Sequence, residues 1–262
     1  MELRGKTIVI TGGASGIGAA LARRFHAEGA RAIALADLPG AKLAATAAEL
    51  GALAVPCDVA KEQDIRALVA RVEAELGPID VFCSNAGIAR LGDEDAPNEE
   101  WQLNFDVHVM AHVYAVRAVV PGMVARGGGY LLHTASAAGL LSHVQSATYA
   151  VSKHAAVAFA EWVSIKYRHQ GIRVSVLAPQ AVRTPMTARP DGASVASVDG
   201  MIEPEELAEC VVRGIAREEF LILPHPKVRD YLQRKAADVD RWLAGMNRWR
   251  VEVGPAGGRR PE

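Results

Sequence analysis

Three residues in the middle of the chain carry side chains that can hold and move a proton. Tyr149 and Lys153 lie four positions apart, so on a helix they share one face and the ammonium group lies near the phenol. A positive neighbour favours the phenolate and lowers the tyrosine pKa, which suits Tyr149 to exchange a proton near neutral pH. Ser136 follows a predicted strand, where its hydroxyl can donate a hydrogen bond to a substrate carbonyl oxygen.

The spacing of Tyr149 and Lys153 is weak support by itself, because a half-buried tyrosine beside a surface lysine gives the same pattern. A second pattern stands near the N-terminus, where residues 11–18 read TGGASGIG between an apolar run and a helical stretch. Glycines let a backbone turn tightly against a pyrophosphate, and a helix N-terminus presents unpaired N–H groups to it. This glycine segment predicts a dinucleotide site, with an ordinary strand-to-helix turn as the alternative.

Asp37 ends the next apolar run, residues 32–36, where a dinucleotide fold places the carboxylate that accepts the ribose hydroxyls. A carboxylate repels a 2′-phosphate, and no Arg or Lys lies in the glycine segment or beside Asp37 to attract one. The pattern therefore predicts NAD rather than NADP as the cofactor. The alternative is that Asp37 only caps the helix that follows.

Composition indicates one soluble α/β domain with small-molecule partners. The chain has 262 residues, of which 50% are hydrophobic, enough for a substantial core. A net charge of -1 gives no electrostatic case for binding nucleic acid or anionic membranes. The cysteines, Cys57, Cys83 and Cys210, form no CxxC or metal-ligand spacing, and no apolar stretch approaches the length of a membrane span. We expect a cytoplasmic protein without a metal.

Short runs rich in Val, Ile and Ala alternate with longer amphipathic runs, which is the pattern of βαβ crossovers. The predicted strands are residues 7–11, 31–37, 52–57, 81–84, 129–134, 173–177 and 220–223. The predicted helices are residues 16–28, 41–50, 62–76, 99–125, 147–170 and 204–217. This order predicts an α/β fold, a single doubly wound Rossmann-type domain whose seven-stranded parallel sheet is flanked by helices.

Beyond the last predicted strand, apolar residues recur at helical spacing and predict an amphipathic helix at about 226–250. Its polar face mixes Asp with Arg and Lys, so packing on its own domain or on a neighbouring subunit is favoured over membrane binding. We place the catalytic domain at residues 1–253 and a frayed tail at 254–262. Residues 184–201, rich in Pro, Gly, Ser and Ala, are expected to form a mobile flap over a site.

Together these motifs resemble the classical short-chain dehydrogenase/reductase family, over nearly all of residues 4–223. The matching positions are the glycine segment 11–18, Asp58 and Val59 for the adenine edge, Asn85, Ala86 and Gly87 after the fourth strand, Ser136, Tyr149 and Lys153 at the catalytic positions, and Pro179, Val182, Arg183 and Thr184 on the nicotinamide side. The resemblance implies an NAD-dependent oxidoreductase that interconverts a secondary alcohol and a ketone by hydride transfer. It also implies that Lys153 holds the nicotinamide ribose, that the Val182 backbone holds the carboxamide, and that Thr184 holds the carboxamide or the phosphates.

Motifs and resemblance together define a candidate site. The cofactor-binding candidates are Gly12, Ser15, Gly16, Ile17, Gly18, Asp37, Asp58, Val59, Asn85, Ala86, Gly87, Tyr149, Lys153, Pro179, Val182 and Thr184. The substrate-pocket candidates are Ala137, Leu141, His143, Gln180 and Met186. The segments 137–146 and 184–201 supply more apolar side chains than polar ones such as Gln145 and Arg189, so we expect a mainly apolar substrate.

Two positions depart from the family pattern. Counting from Trp101, the helix asparagine of the family falls on His108. In the family that asparagine acts largely through its backbone carbonyl, which holds a water connected to the lysine, so a histidine is compatible with the same relay. His108 is therefore either a new catalytic acid or, as we favour, a helix histidine that only packs. Gln180 replaces the glycine that commonly follows Pro179 and is expected to reshape the pocket floor.

Two other function classes share part of this pattern. A non-catalytic NAD-binding or redox-sensing protein is supported by His108 alone, and the intact Ser136, Tyr149 and Lys153 oppose it. A sugar-nucleotide epimerase or dehydratase needs a larger C-terminal domain than the chain provides after residue 223.

We also expect a homo-oligomer, a dimer or tetramer, that pairs helices 99–125 and 147–170 across two-fold axes, as related enzymes do. Both helices carry more apolar positions than covering one sheet face requires. These positions include Val113, Val116, Val119, Val120, Val157, Phe159, Trp162 and Val163.

Overall fold

The computed structural model describes residues 1–188 and 195–254. In those residues, seven parallel strands form one sheet with the order β3-β2-β1-β4-β5-β6-β7. The strands are β1 (Thr7–Thr11), β2 (Ala32–Asp37), β3 (Leu53–Pro56), β4 (Val81–Ser84), β5 (Gly129–Thr134), β6 (Ile172–Leu177) and β7 (Leu221–Ile222). The predicted fold class, a doubly wound parallel sheet flanked by helices, is confirmed.

The helices occupy both faces of this sheet. They are α1 (Gly16–Ala27), α2 (Ala41–Leu50), α3 (Glu62–Leu76), α4 (Asn98–Phe105), α5 (Ala111–Ala125), α6 (Ala138–Leu141), α7 (Ala147–Tyr167), α8 (Pro204–Ala216), α9 (Lys227–Ala237) and α10 (Val239–Val253). A π-helical segment, Asp106–Met110, joins α4 to α5, and a 3-10 turn, Arg168–Gln170, ends α7. The predicted helix 99–125 is therefore continuous but widened in its middle.

The prediction of one C-terminal helix at about 226–250 is wrong in one respect, because the segment forms two helices, α9 and α10. The break falls at Asp238, whose backbone is extended and whose side chain accepts a hydrogen bond from Arg241 N at 2.9 Å. An aspartate in this position satisfies an unpaired N–H group of the first turn, so it starts α10 as it ends α9. Helix α6 was not predicted, since four residues are too short for a periodic signal.

Each face of the sheet buries its own apolar cluster, because successive strand residues point to opposite faces. Ile8 and Ile10 of β1 pack on one face with residues of α1 and α8, whereas Val9 packs on the other face with residues of α3, α5 and α7. All three side chains are fully buried. Burial on both faces explains why the strands read as nearly continuous apolar runs.

The strand order reverses between β1 and β4, which are neighbours although β2 and β3 separate them along the chain. A crevice opens at the carboxyl ends of parallel strands where the order reverses. The segments that follow β1, β4, β5 and β6 all emerge at this edge. They hold the glycine segment, Asn85 to Gly87, Ser136 and Pro179 to Thr184, while Asp37 and Asp58 lie at the same edge, at the ends of β2 and β3.

Two predicted segments are described only in part. Of the predicted flap 184–201, residues 189–194, Arg189 among them, lie outside the described residues. Thr187 Oγ1 on its near side donates a hydrogen bond to Val182 O at 2.6 Å, and Val195 on its far side is buried. Of the predicted tail 254–262, residues 255–262 lie outside the described residues, and Gly254 O accepts a hydrogen bond from Gln145 Nε2 at 3.1 Å. The domain boundary at residue 253 stays a prediction.

The helical run Asn98–Ala125 is long and apolar enough to cross a membrane, judged by length and composition only. The expectation that no stretch approaches that length is therefore wrong. Half of the most apolar window of this run is buried inside the fold. Core helices of soluble proteins share these properties, so this run is weak support for a membrane span.

Candidate active site

A cavity of about 700 Å³ lies in the crevice. Its lining contains all the residues that the sequence predicted to bind cofactor or substrate, from Gly12 to Met186, and it contains Ser136, Tyr149 and Lys153 as well. His108 is the candidate that does not line it. The fold thus brings together motifs that are more than a hundred residues apart in the sequence. Most of them follow strands of one parallel sheet, and Tyr149 and Lys153 lie on α7.

The glycine segment forms a cradle with no space for side chains. Gly12 has a φ of +66°, and a Cβ on it would lie 2.8 Å from the Ala86 Cα. A Cβ on Gly18 would collide with the carbonyl oxygen of Gly12. Helix α1 begins at Gly16, and its first residues line the same space, so unpaired N–H groups are available there. Both features fit the pyrophosphate of a dinucleotide.

Asp37 lines the cavity at the end of β2. Its Oδ2 accepts a hydrogen bond from Ala14 N at 3.0 Å, and its Oδ1 accepts one from Leu38 N at 2.8 Å. Helix α2 begins after Gly40, and no side chain caps it. The alternative role of Asp37 as a helix cap is therefore wrong. The two hydrogen bonds instead hold a carboxylate beside the glycine segment.

Asn85 lines the cavity, and its side chain also links two strand ends. Its Nδ2 donates to Thr11 O at 3.0 Å, and its Oδ1 accepts from Thr134 Oγ1 at 3.1 Å. The side chain thus links the ends of β1 and β5. This link positions Ala86 and Gly87, which line the cavity next to the glycine segment.

Lys153 is buried, with 3% of its surface exposed, so the alternative of a surface lysine is wrong. Its Nζ donates a hydrogen bond to Thr134 O at 3.2 Å and lies 5.7 Å from the ring centre of Tyr149. Burial disfavours the charged form and lowers the pKa of Lys153 to about 7. The amine and ammonium forms are therefore both accessible near neutral pH.

Tyr149 does not show the pKa direction that its spacing from Lys153 predicted. Burial raises the pKa of Tyr149 above its usual value, while a hydrogen bond with Ser136 acts in the opposite direction and lowers it. The prediction that the pKa of Tyr149 is lowered is therefore wrong for the protein without bound ligand. It considered the lysine charge and left out the desolvation of the phenolate. The Ser136 Oγ also accepts a hydrogen bond from Ala138 N at 3.1 Å, which fixes it at the start of α6.

His108 lies behind the cavity wall on the π-helical segment and is fully buried. Its Nδ1 is 3.0 Å from Ser152 Oγ, and its Nε2 is 3.1 Å from Ile88 O and 3.2 Å from Ile88 N. Its ring meets the Tyr149 ring edge to face, with 5.4 Å between the ring centres. Burial and the nearby Lys153 charge hold the pKa of His108 well below its usual value. The geometry supports the packing interpretation.

Two more buried histidines, His112 and His133, lie near His108 and were not predicted from the sequence. Their ring centres are 4.7 Å apart, and His133 also meets Phe159 edge to face. None of their ring nitrogens has a hydrogen-bond partner among the described residues. Burial lowers the pKa of His133 to about 4, so this pair is uncharged at neutral pH.

Gln180 joins the pocket floor to the residues beyond the flap. Its Nε2 donates to Asp199 Oδ2 at 3.0 Å, and its backbone N donates to His225 Nδ1 at 3.2 Å. Asp199 Oδ1 accepts from Lys227 Nζ at 2.9 Å and from the Tyr231 hydroxyl at 3.0 Å. The departure from glycine at position 180 thus connects the nicotinamide-side segment to α9. Asp199 was not predicted from the sequence, because it carries no recognisable motif.

One wall of the cavity, which the C-terminal helices form, was not predicted from the sequence. We call α9 and α10 the C-terminal hairpin; the residues of it that line the cavity are Tyr231, Arg234, Trp242, Met246 and Trp249. Lys235 Nζ donates to Leu140 O at 2.7 Å, and the rings of Tyr231 and Trp242 are in contact. The helical periodicity predicted that this segment packs on its own domain or on a neighbouring subunit, but periodicity does not tell which surface it covers.

Comparison with known proteins identifies the family. A sequence model of the short chain dehydrogenases matches residues 6–192. The 1-deoxy-11-beta-hydroxypentalenate dehydrogenase of Streptomyces exfoliatus is 36% identical over 253 residues, which are 93% of this chain and 92% of that protein. The chain belongs to the short-chain dehydrogenase family and is an oxidoreductase.

Solved structures of the family share the fold. A short-chain dehydrogenase/reductase from Burkholderia phymatum, in complex with NAD, matches with a TM-score of 0.83 and 27% identity, over 92% of this chain and 96% of that one. The L-sorbose reductase of Gluconobacter frateurii, complexed with NADPH and L-sorbose, matches with a TM-score of 0.75 and 30% identity, over 85% of this chain and 97% of that one. Since the two hold different dinucleotides, fold alone does not select between them.

Proposed function

We propose that this protein is an NAD-dependent dehydrogenase that interconverts a secondary alcohol and a ketone on a mainly apolar substrate. The observation that carries the proposal is that Tyr149, Ser136 and the buried Lys153 line the same cavity, with Lys153 Nζ 5.7 Å from the centre of the Tyr149 ring. A phenol, a hydroxyl and a lysine at one point in a dinucleotide-sized cavity provide a proton carrier, an orienting donor and a group that tunes the carrier.

In this mechanism Tyr149 exchanges a proton with the substrate oxygen. The phenolate accepts the proton of an alcohol during oxidation, and the phenol donates it to the carbonyl oxygen during reduction. Ser136 donates a second hydrogen bond to the same oxygen and orients it. When bound, the nicotinamide ring accepts or donates the hydride.

Lys153 acts on Tyr149 and on the cofactor site at once. In its ammonium form, 5.7 Å from the centre of the tyrosine ring, it favours the phenolate and acts against the desolvation that raises the tyrosine pKa. The hydrogen bond to Thr134 O fixes Nζ beneath the tyrosine ring. The remaining Nζ hydrogens are the donors that we assign to the nicotinamide ribose.

The choice of NAD over NADP rests on Asp37. Its carboxylate lines the cavity next to the glycine segment and has no Arg or Lys ion-pair partner among the described residues. A dinucleotide with a free 2′-hydroxyl gains an acceptor there, whereas a 2′-phosphate meets a like charge. The remaining cofactor contacts are assigned to Gly12, Ser15, Gly16, Ile17, Gly18, Asp58, Val59, Asn85, Ala86, Gly87, Pro179, Val182 and Thr184.

The substrate end of the cavity favours a hydrocarbon skeleton. Leu141, Val144, Met186 and Val198 line it, with His143 as a polar neighbour. Burial lowers the pKa of His143 to about 4, so it presents a neutral ring to the substrate. The pentalenate-type relative named above is a dehydrogenase of a hydroxylated substrate. We therefore assign a cyclic or branched secondary alcohol as the substrate class.

A panel of cyclic and aliphatic secondary alcohols and ketones, each assayed with NAD and with NADP, tests this proposal. Turnover is followed by the absorbance of the reduced nicotinamide. The Tyr149→Phe variant should keep NAD binding and lose about 10²–10⁴-fold in kcat, because it removes only the exchanged proton. Tyr167→Phe is the matched control, since Tyr167 lies at the end of α7 and does not line the cavity. Substantial turnover by Tyr149→Phe would refute the mechanism.

We further propose that the protein is a cytoplasmic homo-oligomer. The described cysteines are free, as a reducing compartment requires. On α7, Trp162 is 53% exposed and Ile165 is 80% exposed, an apolar surface that a partner subunit can cover. The interface positions predicted from sequence need a correction, because several are core residues that pack inside the fold. These are Val116, Val119, Val120, Val157 and Val163.

A further inference from the structure

The C-terminal hairpin places a single cation on a wall that is otherwise apolar or aromatic. Among its described residues that line the cavity, Arg234 is charged, while Tyr231, Trp242, Met246 and Trp249 are not. The guanidinium of Arg234 lies over the Tyr231 ring, with its Cζ 5.8 Å from the ring centre. Contact with the aromatic ring holds the cation at the cavity edge without using its hydrogen-bond donors.

Arg234 has no carboxylate within ion-pair distance among the residues that the structure describes. Some other surface arginines are paired, for example Arg173 with Glu218 and Arg183 with Glu203. The nearby carboxylate of Asp199 is already bound by Lys227. The exposed guanidinium therefore keeps donors free for a ligand.

The position of Arg234 lies toward the substrate end of the cavity. The next residue, Lys235, donates to Leu140 O, so this turn of α9 packs on α6, directly after Ser136. Among the described residues, the carboxylates that line the cavity are Asp37 and Asp58, which belong to the cofactor motifs at the ends of β2 and β3, whereas α6 follows β5. A negative group at the substrate end thus meets Arg234 without competition from these carboxylates.

We propose that Arg234 binds a carboxylate of the substrate, so that the enzyme acts on apolar hydroxy acids and the corresponding keto acids. A guanidinium offers two parallel N–H donors that match the two oxygens of a carboxylate. The acid group would lie at the hairpin, the hydrocarbon against Trp242 and Met246, and the reacting carbon at Tyr149. This inference rests on the proposed function for the reaction at Tyr149, but binding of an anion at Arg234 can be measured without turnover.

Calorimetric binding isotherms with two probes test the site. The probes are 1-naphthaleneacetate and 1-naphthaleneethanol, which share an apolar skeleton and differ in the carboxylate. They are titrated into the full-length protein saturated with NAD, as wild type, Arg234→Gln and Arg229→Gln. Arg229 is the matched control, because it is an exposed arginine of the same helix that does not line the cavity.

We expect wild type to bind the acid about five- to tenfold more tightly than the alcohol, since a charge-assisted hydrogen bond at an exposed site is partly screened. Arg234→Gln should bind both probes alike and keep the wild-type affinity for the alcohol, and Arg229→Gln should keep the acid preference. Absence of an acid preference in wild type, or its persistence in Arg234→Gln, overturns the proposal. Because no turnover is measured, an inactive alcohol panel with an intact acid preference would refute the reaction and leave the anion site in place.

Discussion

Replacement of His108 by alanine tests whether this residue has a structural role or a catalytic one. The imidazole is hydrogen-bonded through Nδ1 with Ser152 Oγ at 3.0 Å and through Nε2 with the Ile88 backbone at 3.1 Å. Losing both hydrogen bonds removes about 1 kcal/mol each, and the deleted ring leaves a cavity in a fully buried position. We expect the free energy of unfolding to fall by about 3 kcal/mol.

Replacement of His108 should change kcat/KM much less than it changes the free energy of unfolding. His108→Asn keeps a short polar side chain on the π-helical segment and should retain or raise kcat/KM. His108→Ala should lower kcat/KM far less than Tyr149→Phe does. The pKa of His108 is held well below its usual value by burial and by Lys153, so the ring stays neutral and adds no step to the pH profile near neutrality.

Two measurements check this prediction. Urea unfolding at one fixed protein concentration gives the free energy of unfolding, and the pH dependence of kcat/KM is compared for wild type and His108→Asn. His169→Ala, which changes an exposed histidine, should alter neither quantity. If His108→Asn loses an ionisation at roughly pH 6–7, the ordinary histidine range, together with most of its activity, then His108 is a working acid and the reasoning is refuted.

Three further predictions concern the cofactor, the core and the assembly. Asp37→Ser combined with Leu38→Arg should weaken NAD and improve NADP use in kcat/KM, since it removes a like charge and adds a phosphate partner; a wild type that already prefers NADP contradicts this. Burial lowers the pKa of His133 to about 4, so the unfolded chain binds a proton at a higher pH than the folded protein does. The free energy of unfolding should therefore fall by up to about 3 kcal/mol as the pH is lowered from about 6.5 to 4. Urea titrations across this range should show a smaller fall for His133→Leu, and equal falls would reject the linkage. Light scattering at micromolar concentration should give an oligomer for wild type and a smaller species for Ile165→Glu, because Ile165 is 80% exposed on α7; a monomeric wild type would exclude the assembly.

Local sequence signals account for the parts of the site that follow strand ends. The glycine segment, Asp37 and Ser136 each stand directly after an apolar run, and the strands of one parallel sheet bring such positions to one edge. Tyr149 and Lys153 were placed together by helical spacing alone. Strand and helix ends were predicted to within about one residue at most positions, because alternating apolar runs and glycines mark them locally.

The sequence by itself therefore determined the doubly wound sheet, the glycine cradle and which residues meet in the crevice, since these depend on periodicity, turn residues and strand order. Only the tertiary structure decided the pKa values of Tyr149 and Lys153 and the cavity wall that the C-terminal hairpin forms. Burial raises the pKa of Tyr149 and lowers that of Lys153 to about 7, and spacing contains no measure of burial. The position of Arg234 at the cavity depends on how the C-terminal hairpin packs across segments distant in sequence, which no local pattern records.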